Sequence, residues 1–293
     1  MVLYMKNKIQ KEPFSLKAIR WAYPKLETVV PPLAHKIAWN LFFSPFRFKR
    51  PEREKIAYES AKTQSININN KNVMLYQWGS KGNPIAVLIH GWSGRATQLY
   101  KFIDPLIALG YHVIGFDAPA HGDSQGKITS IDEFYQVLAQ IEKNIGNIKV
   151  GIGHSFGGVS LLYAKKEGID LQTIIMISSP TIGEDILTGF RKKISASKNT
   201  SNAMRKMVKQ HFNLDFEAIT ACELAKEMPV KNHLIVHDYN DMEVPYQNAE
   251  ALQKVSVGAE ILLTKELGHT RILRDNATVE TIIHFINKST NQA

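Results

Sequence analysis

Ile148-Lys149-Val150-Gly151-Ile152-Gly153-His154-Ser155-Phe156-Gly157-Gly158 is the stretch that decides the reading of this chain. Ile148–Ile152 is a short β-rich run, and Val159–Lys166 continues as a helix. G-x-S-x-G therefore stands between a strand and a helix, the setting in which its chemistry makes sense. The serine of such a turn has strained backbone angles, so the flanking Gly153 and Gly157 leave no room for a Cβ. The turn presents Ser155 Oγ at the carboxyl edge of a sheet. The Phe156 N–H is left free beside it, at a helix N-terminus whose potential favours negative charge.

Outward from this turn, the body from about Ser65 alternates strands and helices. Val73–Trp78, Ile85–His90, His112–Phe116, Thr173–Ile177, His233–Val236 and Glu260–Leu263 read as strands. Thr97–Leu109, Ile131–Ile145, a stretch near Asn248–Val255 and one near Thr278–Lys288 read as helices. Apolar strands separated by helices form a mainly parallel sheet covered on both faces. Right-handed crossovers make it a doubly wound α/β sheet. Two segments break the alternation. Residues 180–230 are too long for a plain connection, and between Gly183 and Gln210 they hold 7 Lys/Arg against 2 Asp/Glu. Residues 1–60 mix basic side chains with Trp21, Tyr23, Trp39, Phe42, Phe43, Phe46 and Phe48. Pro32 is placed to open a helix there, with Leu33, Ile37 and Leu41 on one face.

Ser155 needs partners. A tetrahedral intermediate requires two N–H donors on its oxygen. Phe156 offers one. The loop His90-Gly91-Trp92-Ser93-Gly94, after Ile85–His90, offers a second, most simply the Trp92 N–H. His90, Gly91, Gly153, His154 and Gly157 shape the site around these donors. A serine at its free pKa also needs an adjacent base. Of ten histidines, His269 follows the last strand and so reaches the edge where Ser155 lies. His154 adjoins the nucleophile, but its side chain is expected to leave the turn in another direction. His90 and His121 are expected to satisfy local hydrogen bonds. The base in turn needs a carboxylate, and Asp238, Asp241 and Glu243 all follow the strand His233–Val236.

Composition bounds the rest. A chain of 293 residues, 44% hydrophobic and 22% charged, can bury a substantial core. The single cysteine, Cys222, excludes an internal disulfide framework and suits a reducing compartment, so a cytoplasmic location is expected. No stretch approaches the roughly 20 apolar residues that span a bilayer, and the start lacks the apolar run of a secretory signal. The net charge of +9 is uneven: residues 1–55 hold 12 Lys/Arg against 4 Asp/Glu, and the rest of the chain 24 against 23. A basic arm on a balanced body does not suggest a nucleic-acid partner.

Taken together, HGWSG (90–94), DAPAHGDS (117–124), GHSFGG (153–158), DMEVP (241–245) and GH (268–269) resemble the α/β-hydrolase family over about Ser65 to Asn287. The resemblance implies an eight-stranded sheet with an antiparallel edge pair near its start, and a cap, or lid, formed by 180–230. Its D-x-x-V-P run singles out Asp241, giving the order Ser155, Asp241, His269 for nucleophile, acid and base. The aspartate-nucleophile branches, haloalkane dehalogenases and epoxide hydrolases, are excluded by Ser155. The expected organisation is an arm over 1–60 and a hydrolase domain over 61–293. The expected substrate is a small-molecule ester, with a C–C bond, thioester or lactone as rivals, and neither a metal nor an organic cofactor is expected. A ligand-binding protein on the same scaffold is the reading from a different class. For residues 1–55, packing on the body or on a second subunit is weighed against a peripheral membrane contact, and Glu12, Glu27, Glu52 and Glu54 tip the balance to packing by interrupting the basic face.

Overall fold

The computed structural model describes residues 14–290; residues 1–13 of the arm lie outside that range. The strands are β1 (Lys62–Ile68), β2 (Lys71–Trp78), β3 (Ile85–Ile89), β4 (His112–Phe116), β5 (Ile148–His154), β6 (Thr173–Ile177), β7 (Asn232–Asp238) and β8 (Glu260–Thr264). The helices are α1 (Phe14–Val29), α2 (Pro31–Phe43), α3 (Lys55–Ser60), α4 (Ile103–Ala108), α5 (Ile131–Asn144), α6 (Phe156–Lys166), α7 (Gly183–Ile194), α8 (Lys198–Phe212), α9 (Ala221–Glu227), α10 (Gln247–Val255), α11 (Gly268–Arg271) and α12 (Asn276–Thr290).

One eight-stranded sheet runs in the order β1-β2-β4-β3-β5-β6-β7-β8. β2 is antiparallel to both its neighbours, and every pair from β4 to β8 is parallel. β3, β4 and β6 are buried along their whole length, as a sheet covered on both faces requires. One face is sealed by Phe134, Val137, Leu138 and Ile141 of α5 with α6, α9 and α10. The other is sealed by Ile103 and Leu106 of α4 and by Ile282, Phe285 and Ile286 of α12. The carboxyl ends of the parallel strands thereby open onto one edge, where the loops carrying the candidate residues emerge.

A third apolar cluster stands apart from the sheet. Tyr23, Ala34, Ala38 and Trp39 of the arm pack with Leu187, Ile194, Met204, Val208 and Phe216 of the inserted segment. Helices α1 and α2 thus cover an apolar face of α7 and α8 that would otherwise be exposed. Leu33, Ile37 and Leu41 share one face of α2, but the residues buried deepest are Ala34, Ala38 and Trp39; the alanines let two helix backbones approach, and Leu33 is turned outward. Within 180–230, Ala221, Leu224 and Ala225 of α9 join the sheet-covering cluster, whereas Leu187, Ile194, Met204, Val208 and Phe216 belong to the third one. Thr97–Leu109, read as one helix, is a 3₁₀ segment (Ala96–Phe102) followed by α4, with non-helical angles at Leu99.

Residues 44–50, between α2 and the sheet, lie as a strap over two loops. The Phe46 N–H donates to Ser93 Oγ (2.9 Å). The Arg47 guanidinium donates to the carbonyls of Ala120, Ser124 and Gly126. Arg50 pairs with Asp123 at 2.9 Å, and Arg95 donates to the Phe48 carbonyl.

Candidate active site

β5 runs straight into α6, and Ser155 is the single residue between them, at φ 51° and ψ −119°. A positive φ is costly for a residue with a Cβ, and the surroundings hold it there. The Ser155 N–H donates to the Ile177 carbonyl of β6 (2.8 Å). A Cβ on Gly153 would sit 2.4 Å from the Gly157 carbonyl carbon, and one on Gly157 2.3 Å from the Ile89 oxygen. The turn therefore closes only with glycine at both positions. Ser155 is half-buried, and its hydroxyl makes no hydrogen bond among the described residues.

His269 lies at the start of α11. Its Nδ1 is 2.8 Å from Asp241 Oδ2. Asp241 Oδ1 accepts the N–H groups of Glu243 and Val244, each at 2.9 Å. Burial alone would raise the Asp241 pKa, but the hydrogen bond and charge of His269 and these two amides outweigh it and hold the carboxyl below its usual value. An ionised Asp241 fixes the His269 proton on Nδ1 and leaves Nε2 with its lone pair. Asp238, the second candidate, is committed elsewhere. It accepts from Asn240 N–H, Thr264 Oγ1 and Leu267 N–H, and so fastens the loop that carries His269. Glu243 is exposed.

Three further histidines surround this pair. His154 does not turn away as expected. Its Nε2 is 2.9 Å from the His269 carbonyl oxygen, and its ring lies 4.7 Å from the His269 ring. Nε2 must carry the proton to meet a carbonyl, and burial first, then the charge of His269, depresses its pKa to about 3. His237, at the end of β7, places Nε2 2.9 Å from the Val244 oxygen and 3.5 Å from Asp241 Oδ2. It approaches the same carboxylate oxygen as His269, and burial keeps it neutral. Sequence reasoning gave it no role; its signal was its place four residues before Asp241. His90 is also neutral through burial. Its Nε2 accepts the Ala118 N–H (3.0 Å), so Nδ1 carries the proton and donates to the Gly91 carbonyl (2.7 Å).

That last bond orients a peptide plane. Gly94 N–H also donates to the Gly91 oxygen, at 2.9 Å. With this oxygen held by two donors, the Trp92 N–H of the same planar unit points the opposite way, and it has no acceptor among the described residues. The Phe156 N–H, at the first position of α6, likewise has no helical partner. Gly91 is close to the nucleophile: a Cβ there would be 2.8 Å from Ser155 Cβ. The side chains of Trp92 and Phe156 meet edge to face at 5.4 Å, and Phe156 meets Phe134 at 5.2 Å, so an aromatic wall borders the site. The acid loop after β4 is structural. Asp117 accepts from Ala96 N–H, Asp123 N–H and the Tyr76 hydroxyl. Two surface grooves of about 260 Å³, one lined by α4 and α12 and one beside β8, involve none of Ser155, Asp241, His269, Trp92 and Phe156. Among the described residues no group of three or more His, Cys, Asp or Glu side chains could hold a metal ion.

Known proteins bear on this arrangement. The model of an alpha/beta hydrolase family matches residues 86–196. Protein ABHD8 of Mus musculus is 23% identical over 280 residues, covering 81% of this chain and 61% of its own. The dihydrolipoyllysine-residue acetyltransferase component of the acetoin cleaving system of Pseudomonas putida is 27% identical over 153 residues, which is 51% of this chain and 41% of that protein. The chain thus spans about half the length of these relatives. Among solved structures, a bacterial membrane phospholipase A superposes with a TM-score of 0.62 at 15% identity, over 94% of this chain and 98% of that one. The matched segment resembles that family, and the sheet order and the structural likeness agree on an α/β-hydrolase fold.

Proposed function

We propose that this protein is a serine hydrolase that cleaves a carboxylic ester of a small or medium acyl substrate through an acyl-enzyme. The observation that carries the reading is the His269–Asp241 pair at 2.8 Å, on the sheet edge where Ser155 is held at positive φ. In this mechanism His269 Nε2 takes the Ser155 proton as Oγ attacks the ester carbonyl. The oxyanion is received by the N–H groups of Trp92 and Phe156, each worth about 3 kcal/mol of transition-state stabilisation. Collapse breaks the bond to the alcohol oxygen, and His269 returns the proton to the leaving alcohol. A water, deprotonated by His269, then attacks the acyl-enzyme, and Ser155 leaves with its proton restored. The exposed lysines of the cap favour an anionic acyl or leaving group over a cationic one.

A second reading has one observation in its favour. Ser155 Oγ makes no hydrogen bond to His269, which a ligand-binding protein on this scaffold would not need. Catalytic hydrogen bonds are often long without substrate, so the enzyme reading stands first. Short-chain nitrophenyl esters, together with a fluorophosphonate label, separate the two. The hydrolase turns over the esters and is labelled at Ser155, and Ser155→Ala loses both by a factor on the order of 10³ or more. Unaltered turnover in Ser155→Ala refutes the mechanism, and neither labelling nor turnover in the intact protein selects the binding reading.

A further inference from the structure

In the sequence, four glutamates interrupt the basic face of the arm and favour packing over a membrane contact. The structure removes that objection for the described part. Between residues 14 and 43 the one acidic side chain is Glu27, and it is turned into the cap. It accepts from Ser197 N–H (2.9 Å), Ser197 Oγ (2.7 Å) and Thr200 Oγ1 (2.6 Å), at the start of α8. Glu54 is buried, accepting from Thr97 Oγ1 at 2.8 Å and lying 3.9 Å from Arg95. Glu52 belongs to a separate turn after the strap, and Glu12 lies outside the described residues.

The outward side of the α1–α2 hairpin combines apolar and cationic groups. Trp21 is 70% exposed, Val29 78%, Val30 42% and Leu33 47%, and Pro31 and Pro32 between them are exposed as well. Lys17, Trp21, Lys25 and Val29 recur every four residues and form one stripe about 18 Å long on α1. The Lys25 ammonium lies 3.4 Å from the centre of the Trp21 ring. Lys17, Lys25 and Lys36 are exposed. No acid on the hairpin's outer side offsets them. An exposed tryptophan, branched aliphatics at a helix turn and flanking lysines suit the boundary between lipid headgroups and acyl chains, with the cations meeting anionic headgroups. Among the described residues no helix is long and apolar enough to cross a membrane.

We propose that the outer side of the α1–α2 hairpin, centred on Trp21, Val29, Val30 and Leu33 and ringed by Lys17, Lys25 and Lys36, docks on a bilayer containing anionic lipid. Because this hairpin covers α7 and α8, docking presses the cap itself against the lipid. The proposal stands without the hydrolase reading.

Co-sedimentation of the full chain with phosphatidylcholine vesicles, with and without phosphatidylglycerol, tests it. The expected result is binding to the phosphatidylglycerol vesicles that weakens with added salt. The pair Trp21→Glu/Val29→Glu and the triple Lys17→Glu/Lys25→Glu/Lys36→Glu each lower the partition coefficient by on the order of tenfold. All five side chains are exposed, so circular dichroism and the melting temperature stay as in the wild type. Equal binding by the wild type and the Trp21/Val29 pair overturns the proposal, as does absence of binding to the anionic vesicles. A concentration-dependent dimer that the same pair disperses, without vesicle binding, also overturns it by assigning the face to a second copy of the chain.

Discussion

Gly91→Ala places one methyl group against the nucleophile, and its cost follows from three distances. The new Cβ would stand 2.8 Å from Ser155 Cβ, 3.0 Å from His154 Nδ1 and 3.2 Å from the His154 oxygen. Carbon atoms in contact settle at about 3.5–4.0 Å, so the loop and the elbow must separate by about 0.7 Å or more. None of the three opposing atoms is the far end of a flexible chain; two belong to or adjoin the strained turn. The loop therefore gives way, and it carries the Trp92 N–H with it. Misplacement of a catalytic group by about 1 Å costs on the order of 100-fold, and loss of one oxyanion donor costs about 10²–10³-fold. The expected fall in kcat is thus about 100-fold, with a smaller change in KM, because the donor acts on charge that develops in the transition state. Overpacking adds about 1–3 kcal/mol of destabilisation. Steady-state kinetics on a nitrophenyl ester, beside urea denaturation of the same variant, separates the two effects. A variant that retains kcat within threefold, as a rough bound, refutes the argument that Gly91 sets the distance between oxyanion loop and nucleophile.

His237→Leu leaves the Val244 oxygen without its donor and strips a neutral flank from Asp241; we expect about 1–3 kcal/mol of lost stability and a lower kcat with KM little changed, and an unchanged kcat assigns His237 to packing alone. Acidification destabilises the fold. Burial holds His154 near pKa about 3 and His233 near about 4, against 6.5 when unfolded, so the unfolded chain binds protons first. The stability these residues contribute is complete above about pH 6.5 and is lost as pH falls toward the folded values, amounting to about 2 kcal/mol each by pH 5. Asp241, with its folded pKa depressed, adds a loss at still lower pH, as pH falls through that folded value. Urea midpoints at pH 7.5 and 5 that coincide contradict this. Glu27→Ala removes three hydrogen bonds between arm and cap; limited proteolysis of the α1–α2 hairpin is expected to quicken by on the order of tenfold while the sheet's melting temperature holds, and an unchanged digestion rate argues that the apolar cluster alone fixes the arm.

The sheet was legible because its strands are apolar on both faces; TIIMI at Thr173–Ile177 and IAVLI at Ile85–Ile89 have few other uses. β1 escaped a reading from the residues because KTQSINI buries only Ile66 and Ile68, as an edge strand does, and periodicity over two residues is no signal. The helix 97–109 was drawn too long because Pro105 lacks the N–H that would bond one turn back. The elbow and the glycines beside it were legible because their constraint is steric and local. The dependence of the cap on the arm was not. It lies between Trp39, Ala34 and Ala38 on one side and Leu187, Met204 and Val208 on the other, residues more than a hundred positions apart whose alanines look like filler in the sequence. The contact of His154 with the His269 carbonyl, 115 positions away, was hidden for the same reason; that of His237 with Val244 is local, but a lone histidine at a strand end carries no signal of its own.

In the mechanism proposed above, those neighbours change what Ser155, His269 and Asp241 can do. A proton taken from Ser155 needs one resting place, and the cluster contains several imidazoles close together. His154, His237 and His90 are each excluded, because burial depresses their pKa values and each already spends its proton on a carbonyl: that of His269, Val244 and Gly91 respectively. His269 alone among them sits within 2.8 Å of a carboxylate held ionised by two amides. The same three carbonyl bonds fix the His269 backbone, the turn that carries Asp241 and the peptide plane that turns the Trp92 N–H outward. One set of neutral imidazoles therefore does two things: it denies the proton any other site, and it removes the freedom of the three loops that receive the charge. A site stiffened in this way has little reorganisation left to do when charge develops, which is where an electrostatic contribution to rate originates.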